Sequence, residues 1–204
     1  MTQKLAMTKQ SLLEQVEHLR KISPDFYATL DMKKVLEVSS SSALEIMTSR
    51  SPDFDSITEG GRGESYRYAQ QNPQIRAIGI RQIFALSSPA HSIENLSPTY
   101  KILDVLGGDG TLARALPYVV SQALLPQILT SDLAKDMVIA AQTYGLPSIQ
   151  QPAQNLLLKD RSVDAVLLAY GVASYSSGSK TTGLSRSVKS PKVWGSHCAS
   201  RLRE

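Results

Sequence analysis

The sequence predicts an α/β fold: a parallel β-sheet of about four strands flanked by helices, preceded by a mainly helical N-terminal region. From residue 97 to residue 172, short apolar runs rich in strand-forming residues alternate with helical patterns. Strands joined by helices of this length form right-handed crossovers, which make a sheet parallel. Before residue 97 the apolar residues recur at helical spacing. We therefore divide the chain into a helical region, 1–96, and a sheet domain, 97–172.

The helical region begins with SLLEQVEHLRKI, where apolar residues recur three and four apart and Ser23-Pro24 marks the helix end. Further helices are expected at 25–38, at 42–47 and over QIRAIGIRQIFAL. The stretch 49–73 is rich in charge and turn-forming residues, which predicts a loop with at most a short helix.

Four strands are predicted in the sheet domain, at YKILDVL, QILTS, SIQQ and SVDAVLLAYG. The last is nearly continuous apolar sequence, which indicates a strand buried on both faces. The helix after the first strand, TLARALPYVV, contains Pro117, which should kink or end it. A second helix is expected at 133–144, with Gly145 as its C-cap.

Charge is distributed unevenly along the chain. From Gly171 onward the chain has six basic residues and one acidic residue, a charge of +5. The whole chain has a net charge of +4, so residues 1–170 carry −1. Residues 1–170 have no basic stripe interleaved with aromatic residues, which argues against a nucleic-acid partner. The tail, 173–204, is rich in serine and poor in apolar residues, so we expect it to be disordered or loosely attached.

Composition argues against several other classes of site. Cys198 is the single cysteine and the three histidines lack ligand spacing, so neither a disulfide nor a metal site is expected. No apolar run approaches the roughly 18 residues that cross a bilayer, and the N-terminus lacks an apolar signal segment. We therefore expect a cytoplasmic protein without a membrane partner.

The segment KILDVLGGDGTLAR turns from a strand through glycines into a helix, which places backbone N–H groups and a positive helix end beside any ligand there. Gly108, Gly110 and Ala113 fit the dinucleotide pattern G-x-G-x-x-G/A, and Asp132 lies 22 residues after Gly110, where a ribose-binding carboxylate belongs. The glycines alone leave two kinds of cofactor open, a dinucleotide or S-adenosylmethionine.

Two carboxylates favour the second cofactor. Asp104 precedes the glycines and Asp109 lies among them, and both would repel a pyrophosphate. S-adenosylmethionine carries a cationic sulfonium and an ammonium group instead of phosphates. Asp104 is the stronger indication, because a carboxylate at a buried strand end is costly unless it meets a partner. The alternatives are that Asp109 only caps the next helix and that local N–H groups satisfy Asp104.

The sequence ILDVLGGDGTL resembles motif I of class I S-adenosylmethionine-dependent methyltransferases, which runs roughly from two hydrophobic residues and an acidic residue to Gly-x-Gly-x-Gly. ILTSDLAKDMVIAAQ and PAQNLLLKDRSVDAVLLAYGV are similar to the next two family segments, in family order. The resemblance implies a Rossmann-like sheet, a ribose contact at Asp132 and an adenine contact near Ala153. The cofactor-binding residues that it implies are Asp104, Gly107, Gly108, Gly110, Asp132, Leu133, Ala153 and Gln154.

The chain departs from the family pattern in three places. Leu106 replaces the first glycine, so the turn must begin at Gly107 or the backbone must approach the cofactor differently. Pro152 replaces an acidic residue that recognises the adenine amino group, which leaves this contact to residues 153–155. The family sheet has seven strands and only four are predicted here. The chain therefore looks truncated or altered after the fourth strand, whose edge would be uncovered unless the tail or a partner covers it.

These features imply a methyltransferase that transfers the sulfonium methyl group in line to an oxygen, nitrogen or carbon of a small molecule. The missing strands leave a catalytically inactive partner protein as one alternative, and the glycines leave an NAD-dependent oxidoreductase as another. Tyr66, Tyr68 and Tyr170 are candidate pocket residues and His91 is a candidate base, although packing aromatics and an ordinary loop histidine are the simpler interpretations. No catalytic residue is assigned.

Overall fold

The N-terminal region contributes helices to the part of the chain that the structure describes. The structure, a computed structural model, describes residues 11–41, 72–87, 96–153, 155–168 and 193–194, with the backbone alone at 83–87 and 193–194. Helix α1 spans Leu12–Ile22, α2 Pro24–Tyr27, α3 Met32–Ser40 and α4 Pro73–Ser87. The helix predicted at 42–47 and most of the loop predicted at 49–73 lie outside the described residues.

The single helix predicted at 25–38 is wrong, because α2 and α3 replace it. Asp31 caps α3: its carboxylate accepts hydrogen bonds from two backbone N–H groups in the first turn of that helix. Between the two helices, Leu30 forms an antiparallel bridge with Leu158. Pairing with a distant segment thus overrides the local helical preference.

Within the described residues the sheet has five parallel strands in the order β3-β2-β1-β4-β5. Strand β1 spans Lys101–Val105, β2 Gln127–Asp132, β3 Ser148–Gln150, β4 Ala165–Leu167 and β5 Val193–Trp194. In this doubly wound sheet, β2 and β3 extend the sheet on one side of β1, and β4 and β5 extend it on the other side. The strand order therefore reverses between β1 and β4. The predicted Rossmann-like α/β fold is confirmed, although β4 is shorter than the run predicted for it.

Strand β5 lies in the segment predicted to be a loosely attached tail. Its two residues, Val193 and Trp194, pair in parallel register with Val166 and Leu167 of β4. At these two positions the structure has a strand where none was predicted, and this part of the tail pairs with the β4 edge, one of the two ways in which that edge was expected to be covered. The other residues of the tail lie outside the described part of the chain.

Three short helical segments follow β1, the last of them a 3-10 turn at Gln122–Leu124, and one helix follows β2. Helix α5 spans Thr111–Ala115 and continues as a 3-10 turn at Leu116–Tyr118. Pro117 lies in that turn, so the helix ends just before it, as predicted. Helix α6 spans Lys135–Thr143, and Gly145 beyond it has a φ of 73°, the left-handed conformation expected of a C-cap glycine.

Each face of the sheet carries its own apolar core. Buried residues of α1, α2 and α3 pack against Leu103 of β1 and Leu129 of β2 on one face. On the other face, Ile80 of α4 and Leu112 of α5 pack with Ile102 of β1. Strand β1 is therefore covered on both faces, and the loop that follows begins at the end of a packed strand.

Helix α1 also protects the free edge of the sheet at β3. Gln151 donates its backbone N–H inward to the Asp132 carbonyl oxygen, so the N–H of the preceding residue, Gln150, points to the free edge. The side-chain oxygen of Gln15, a buried residue of α1, accepts that N–H at 2.8 Å. The amide of Gln15 thus satisfies a backbone group that would otherwise lie unpaired beneath the helix.

Candidate cofactor site at the glycine loop

The candidate site lies at the carboxyl end of β1, where open α/β sheets place their ligands because the chain turns to opposite sides there. We call residues 106–110, LGGDG, the glycine loop. The loop joins β1 to α5 and is held to the end of β2, since the Gly107 N–H donates to the Ser131 carbonyl oxygen at 3.0 Å. The sequence-predicted site residues at the ends of β1 and β2 are therefore neighbours.

Every second residue of the glycine loop has a left-handed backbone. The φ angles are 59° at Leu106, 58° at Gly108 and 83° at Gly110. These are the three positions of Gly-x-Gly-x-Gly in the methyltransferase motif, and glycine is favoured there because it adopts positive φ without steric cost. Leu106 adopts the conformation of the glycine that it replaces, at a cost of about 1–2 kcal/mol. The turn therefore begins at Leu106 and not at Gly107.

Gly107 is required by packing and not by its φ angle. A Cβ atom at this position would lie 2.8 Å from Cγ of Asp104 and still closer to its Oδ2, and 2.9 Å from Cγ2 of Thr130. At Gly110 a Cβ would meet only the flexible end of the Leu146 side chain, and the left-handed backbone is the stronger reason for glycine there. Packing accounts for Gly107 and backbone conformation for Gly110, so the glycine pattern by itself does not require a cofactor.

Asp132 joins the loops after β1 and β2. Its Oδ2 accepts the N–H of Gly108 at 2.9 Å, and its Oδ1 accepts the N–H of Ala134 at 2.9 Å. Burial raises the pKa of Asp132, and hydrogen bonds from Ala134, Gly108 and Leu133 oppose that rise. Asp132 is partly exposed, and each carboxylate oxygen has a second lone pair, so the group retains capacity to accept hydrogen bonds from ligand hydroxyls.

Asp104 is buried beneath the glycine loop with only 2% of its surface exposed. Within the described part of the chain, no hydrogen bond reaches its carboxyl oxygens and no basic side chain pairs with it. Burial, with a smaller contribution from the charge of Asp132, raises the pKa of Asp104 to about 8. Its neighbour across the strand pair, Thr130, is fully buried, and its hydroxyl has no hydrogen-bond partner among the described residues.

Asp109 does not contribute free negative charge to the site, contrary to the sequence-based interpretation. Its Oδ2 forms an ion pair with Arg114 at 2.8 Å, and its Oδ1 accepts the hydroxyl of Thr111 at 3.2 Å. The guanidinium carbon of Arg114 also lies 4.2 Å from the centre of the Tyr144 ring. Nor does Asp109 cap α5, whose N-cap is Gly110 and has no side-chain cap. The cluster fixes α5 against the end of α6.

The other predicted site residues have separate positions. Leu133 is buried next to Asp132, and its carbonyl oxygen accepts the side-chain N–H of Gln150 at 2.9 Å. Ala153 is partly buried after β3 and packs against the core that includes α1. Five predicted positions lie outside the described residues: Tyr66, Tyr68, His91, Gln154 and Tyr170. The roles assigned to all these residues remain predictions.

Sequence reasoning missed three residues of the site. Thr130 contacts both Asp104 and the glycine loop, but only the register of β1 against β2 reveals it. Gln151 has its backbone on Asp132, and its side-chain oxygen accepts the N–H of Leu157 at 2.8 Å. Arg114 pairs with Asp109 from five residues away, a spacing that does not predict a contact across a helix start.

The residues present fit a ligand that brings hydroxyl groups and positive charge. Asp132 has free acceptor capacity, whereas Asp104 is a buried carboxyl without a basic partner among the described residues. A pyrophosphate would instead face both carboxyl groups, and the Gly108 N–H that could bind it is already donated to Asp132. No cluster of metal-binding side chains occurs among the described residues. No helix in that part of the chain has the length and apolar character to span a bilayer.

No protein-family model and no curated protein matches the sequence. Solved structures similar to the chain include a Haloferax volcanii protein in complex with a methyltransferase activator, at 18% identity over 66% of this chain and 55% of that one, with a TM-score of 0.47. An S-adenosylmethionine-dependent methyltransferase of Thermotoga maritima is 15% identical over 67% of this chain and 55% of its own, with a TM-score of 0.46.

A third similar structure is phosphoethanolamine N-methyltransferase 2 of Haemonchus contortus in complex with S-adenosylmethionine. It is 16% identical over 67% of this chain and 28% of its own, with a TM-score of 0.43. The chain thus spans about half the length of the first two proteins and less of the third. The second and third of these structures are S-adenosylmethionine-dependent or S-adenosylmethionine-bound methyltransferases.

Proposed function

We propose that the chain binds S-adenosylmethionine at the glycine loop and is a methyltransferase that acts on a small molecule. One observation carries the proposal: Asp104 and Asp132 lie at the ends of neighbouring strands beside the loop, and neither has a basic partner among the described residues. A cationic ligand without phosphates suits such a site, because opposite charges attract more strongly where water is partly excluded.

The residues divide into those that hold the ligand and those that support them. Asp132 accepts the ribose hydroxyls, Asp104 provides negative charge for the cationic end, and the glycine loop lets the backbone approach. Ala153 and Gln154 contact the adenine, and Leu133 is a further cofactor-binding residue. Arg114 and Asp109 support the loop by fixing α5 and remain outside the binding set.

S-adenosylmethionine, when bound, supplies an electrophilic methyl group on a cationic sulfur. The protein's part is to hold the acceptor atom in line with that group and to exclude water, since positioning alone lowers such barriers by several kcal/mol. No described side chain is assigned as a base. The proposal therefore leaves open whether the acceptor atom is oxygen, nitrogen or carbon.

Calorimetry on the full chain tests the proposal. S-adenosylmethionine and S-adenosylhomocysteine should bind, and NAD should not. The Asp132→Ala variant should bind at least about tenfold more weakly, because a charge-assisted hydrogen bond contributes about 1.5–3 kcal/mol and each tenfold is 1.4 kcal/mol. Asp160→Asn, which alters an exposed carboxylate after β3, is the control and should bind as the parent chain does. Binding of NAD alone, or of none of the three compounds, would overturn the proposal.

A further inference from the structure

Two carboxyl groups, those of Asp104 and Asp132, lie near the carboxyl ends of the neighbouring strands β1 and β2, and their surroundings differ. Asp132 is partly exposed and receives hydrogen bonds from Gly108 and Ala134, whereas the Asp104 carboxyl lies beneath Gly107 and receives none from the described residues. Hydrogen bonds to a carboxylate favour its charged form, and burial without them favours the neutral form. When one proton is shared between the two groups, Asp104 therefore holds it.

Among the described residues, the groups that face Asp104 from the surrounding elements do not supply a compensating cation. Asp132 at the end of β2 is a like charge. Asp109 in the loop and Arg114 on α5 are paired with each other. Leu167, the β4 partner of Asp104, is apolar, and Lys135 and Asp136 begin α6 beyond the end of β2. The raised pKa of Asp104 agrees with this arrangement.

We propose that Asp104 carries a proton in the free chain and releases it when a cationic ligand binds at the glycine loop. This inference rests on the proposed function and adds that ligand binding is coupled to the release of a proton. In the exchange the O–H bond of the Asp104 carboxylic acid breaks, its proton passes to the buffer, and the carboxylate that remains forms an ion pair with the cation of the ligand. Charge is conserved, and no further reactant is needed.

Calorimetry with S-adenosylmethionine at pH 7, repeated in buffers of different ionisation enthalpy, counts the protons released. The full-length parent chain should release close to one proton more than the Asp104→Asn variant. Asp160→Asn makes the same chemical change at an exposed site and should match the parent. The ligand's own amino group contributes equally in all three proteins, so differences between them isolate Asp104. Equal proton counts in the parent and Asp104→Asn would overturn the inference.

The pH dependence of binding to the parent chain gives a second test that needs no variant. The ligand amino group stays largely protonated between pH 6 and pH 7. Only the ionised fraction of Asp104 is competent to bind, so Kd should fall by about tenfold across that interval. A constant Kd would overturn the inference and leave the proposed function intact. Failure of S-adenosylmethionine to bind at any pH would overturn both.

Discussion

The carboxylate of Asp132 accepts the backbone N–H of Gly108 at 2.9 Å, across 24 residues of sequence. The same carboxylate accepts the N–H of Ala134, so one side chain at the end of β2 orders both its own turn and the glycine loop after β1. The residue expected from sequence to contact the ribose is thus also a positioning residue for the loop. Loss of this side chain should affect loop order even when no ligand is present.

Asp132→Asn should make the amide proton of either Gly108 or Ala134 exchange faster with solvent. An asparagine keeps one carboxamide oxygen, so one of the two N–H groups loses its acceptor, and we expect the free energy of unfolding to fall by about 1–3 kcal/mol. Hydrogen exchange followed by NMR measures the first effect and urea denaturation the second. Asp160→Asn is the control. Unchanged exchange at both Gly108 and Ala134 in Asp132→Asn would show that the Asp132 carboxylate does not order the two turns.

Asp104→Asn should change how stability depends on pH. The folded-state pKa of Asp104 is about 8, above its ordinary value of 3.8, so the folded chain binds a proton that the unfolded chain loses. The stability contributed by that proton is complete below the unfolded pKa and is lost as pH rises through about 8, at up to about 1.4 kcal/mol per pH unit.

The Asp104→Asn variant lacks this dependence, so urea denaturation at pH 5, 6, 7 and 8 should give a flatter profile. The introduced carboxamide does not ionise, and the variant should therefore gain stability relative to the parent chain as pH rises. Parallel profiles for the two proteins would contradict the burial of an unpaired carboxyl at this position.

Leu106→Gly should be more stable than Leu106→Ala by about 1 kcal/mol. Both variants lose the packing of a partly buried leucine, but only glycine relieves the strain of a φ of 59°. The same pair of substitutions at Leu36, an exposed residue of α3, should show the opposite order, because glycine is about 1 kcal/mol less favourable than alanine within a helix. Denaturant titration of the four variants measures their free energies of unfolding. If Leu106→Ala is more stable than Leu106→Gly, the backbone at position 106 is not strained.

Gly107→Ala should lower the free energy of unfolding by about 1–3 kcal/mol, because the new methyl group meets the Asp104 carboxyl. In an Asp104→Ala background the penalty should be smaller by about 1 kcal/mol, the usual coupling between residues in contact. The rest of the penalty should persist, because the new methyl group would still meet the Thr130 side chain. Equal penalties in the two backgrounds would show that Asp104 does not lie beneath Gly107.

Gly145→Ala provides a reference for backbone strain without overpacking. This glycine has a φ of 73°, and a Cβ there would have nothing within 4 Å. The expected cost is therefore about 1–2 kcal/mol from conformation alone, and it should not change in the Asp104→Ala background.

By itself the sequence determined the class of fold and the location of the candidate site. Alternation of strand and helix patterns is enough for a parallel sheet, since each pattern records which face of an element is buried. The order of Asp104, the glycines and Asp132 along the chain likewise assigns them to neighbouring strand ends once the sheet is parallel. Periodicity did not reveal the break between α2 and α3, because the cause is pairing of Leu30 with the distant Leu158.

Only the tertiary structure decided which carboxyl groups have a basic partner. Asp104 and Asp109 looked alike in the sequence, but Arg114 neutralises Asp109 while Asp104 is buried without a basic partner among the described residues. The edge of β3 likewise depends on Gln15, 135 residues from the N–H that it accepts. Burial patterns repeat locally and can be read along a chain, whereas a polar group takes whichever partner folding brings within about 3 Å, and sequence spacing does not specify that partner.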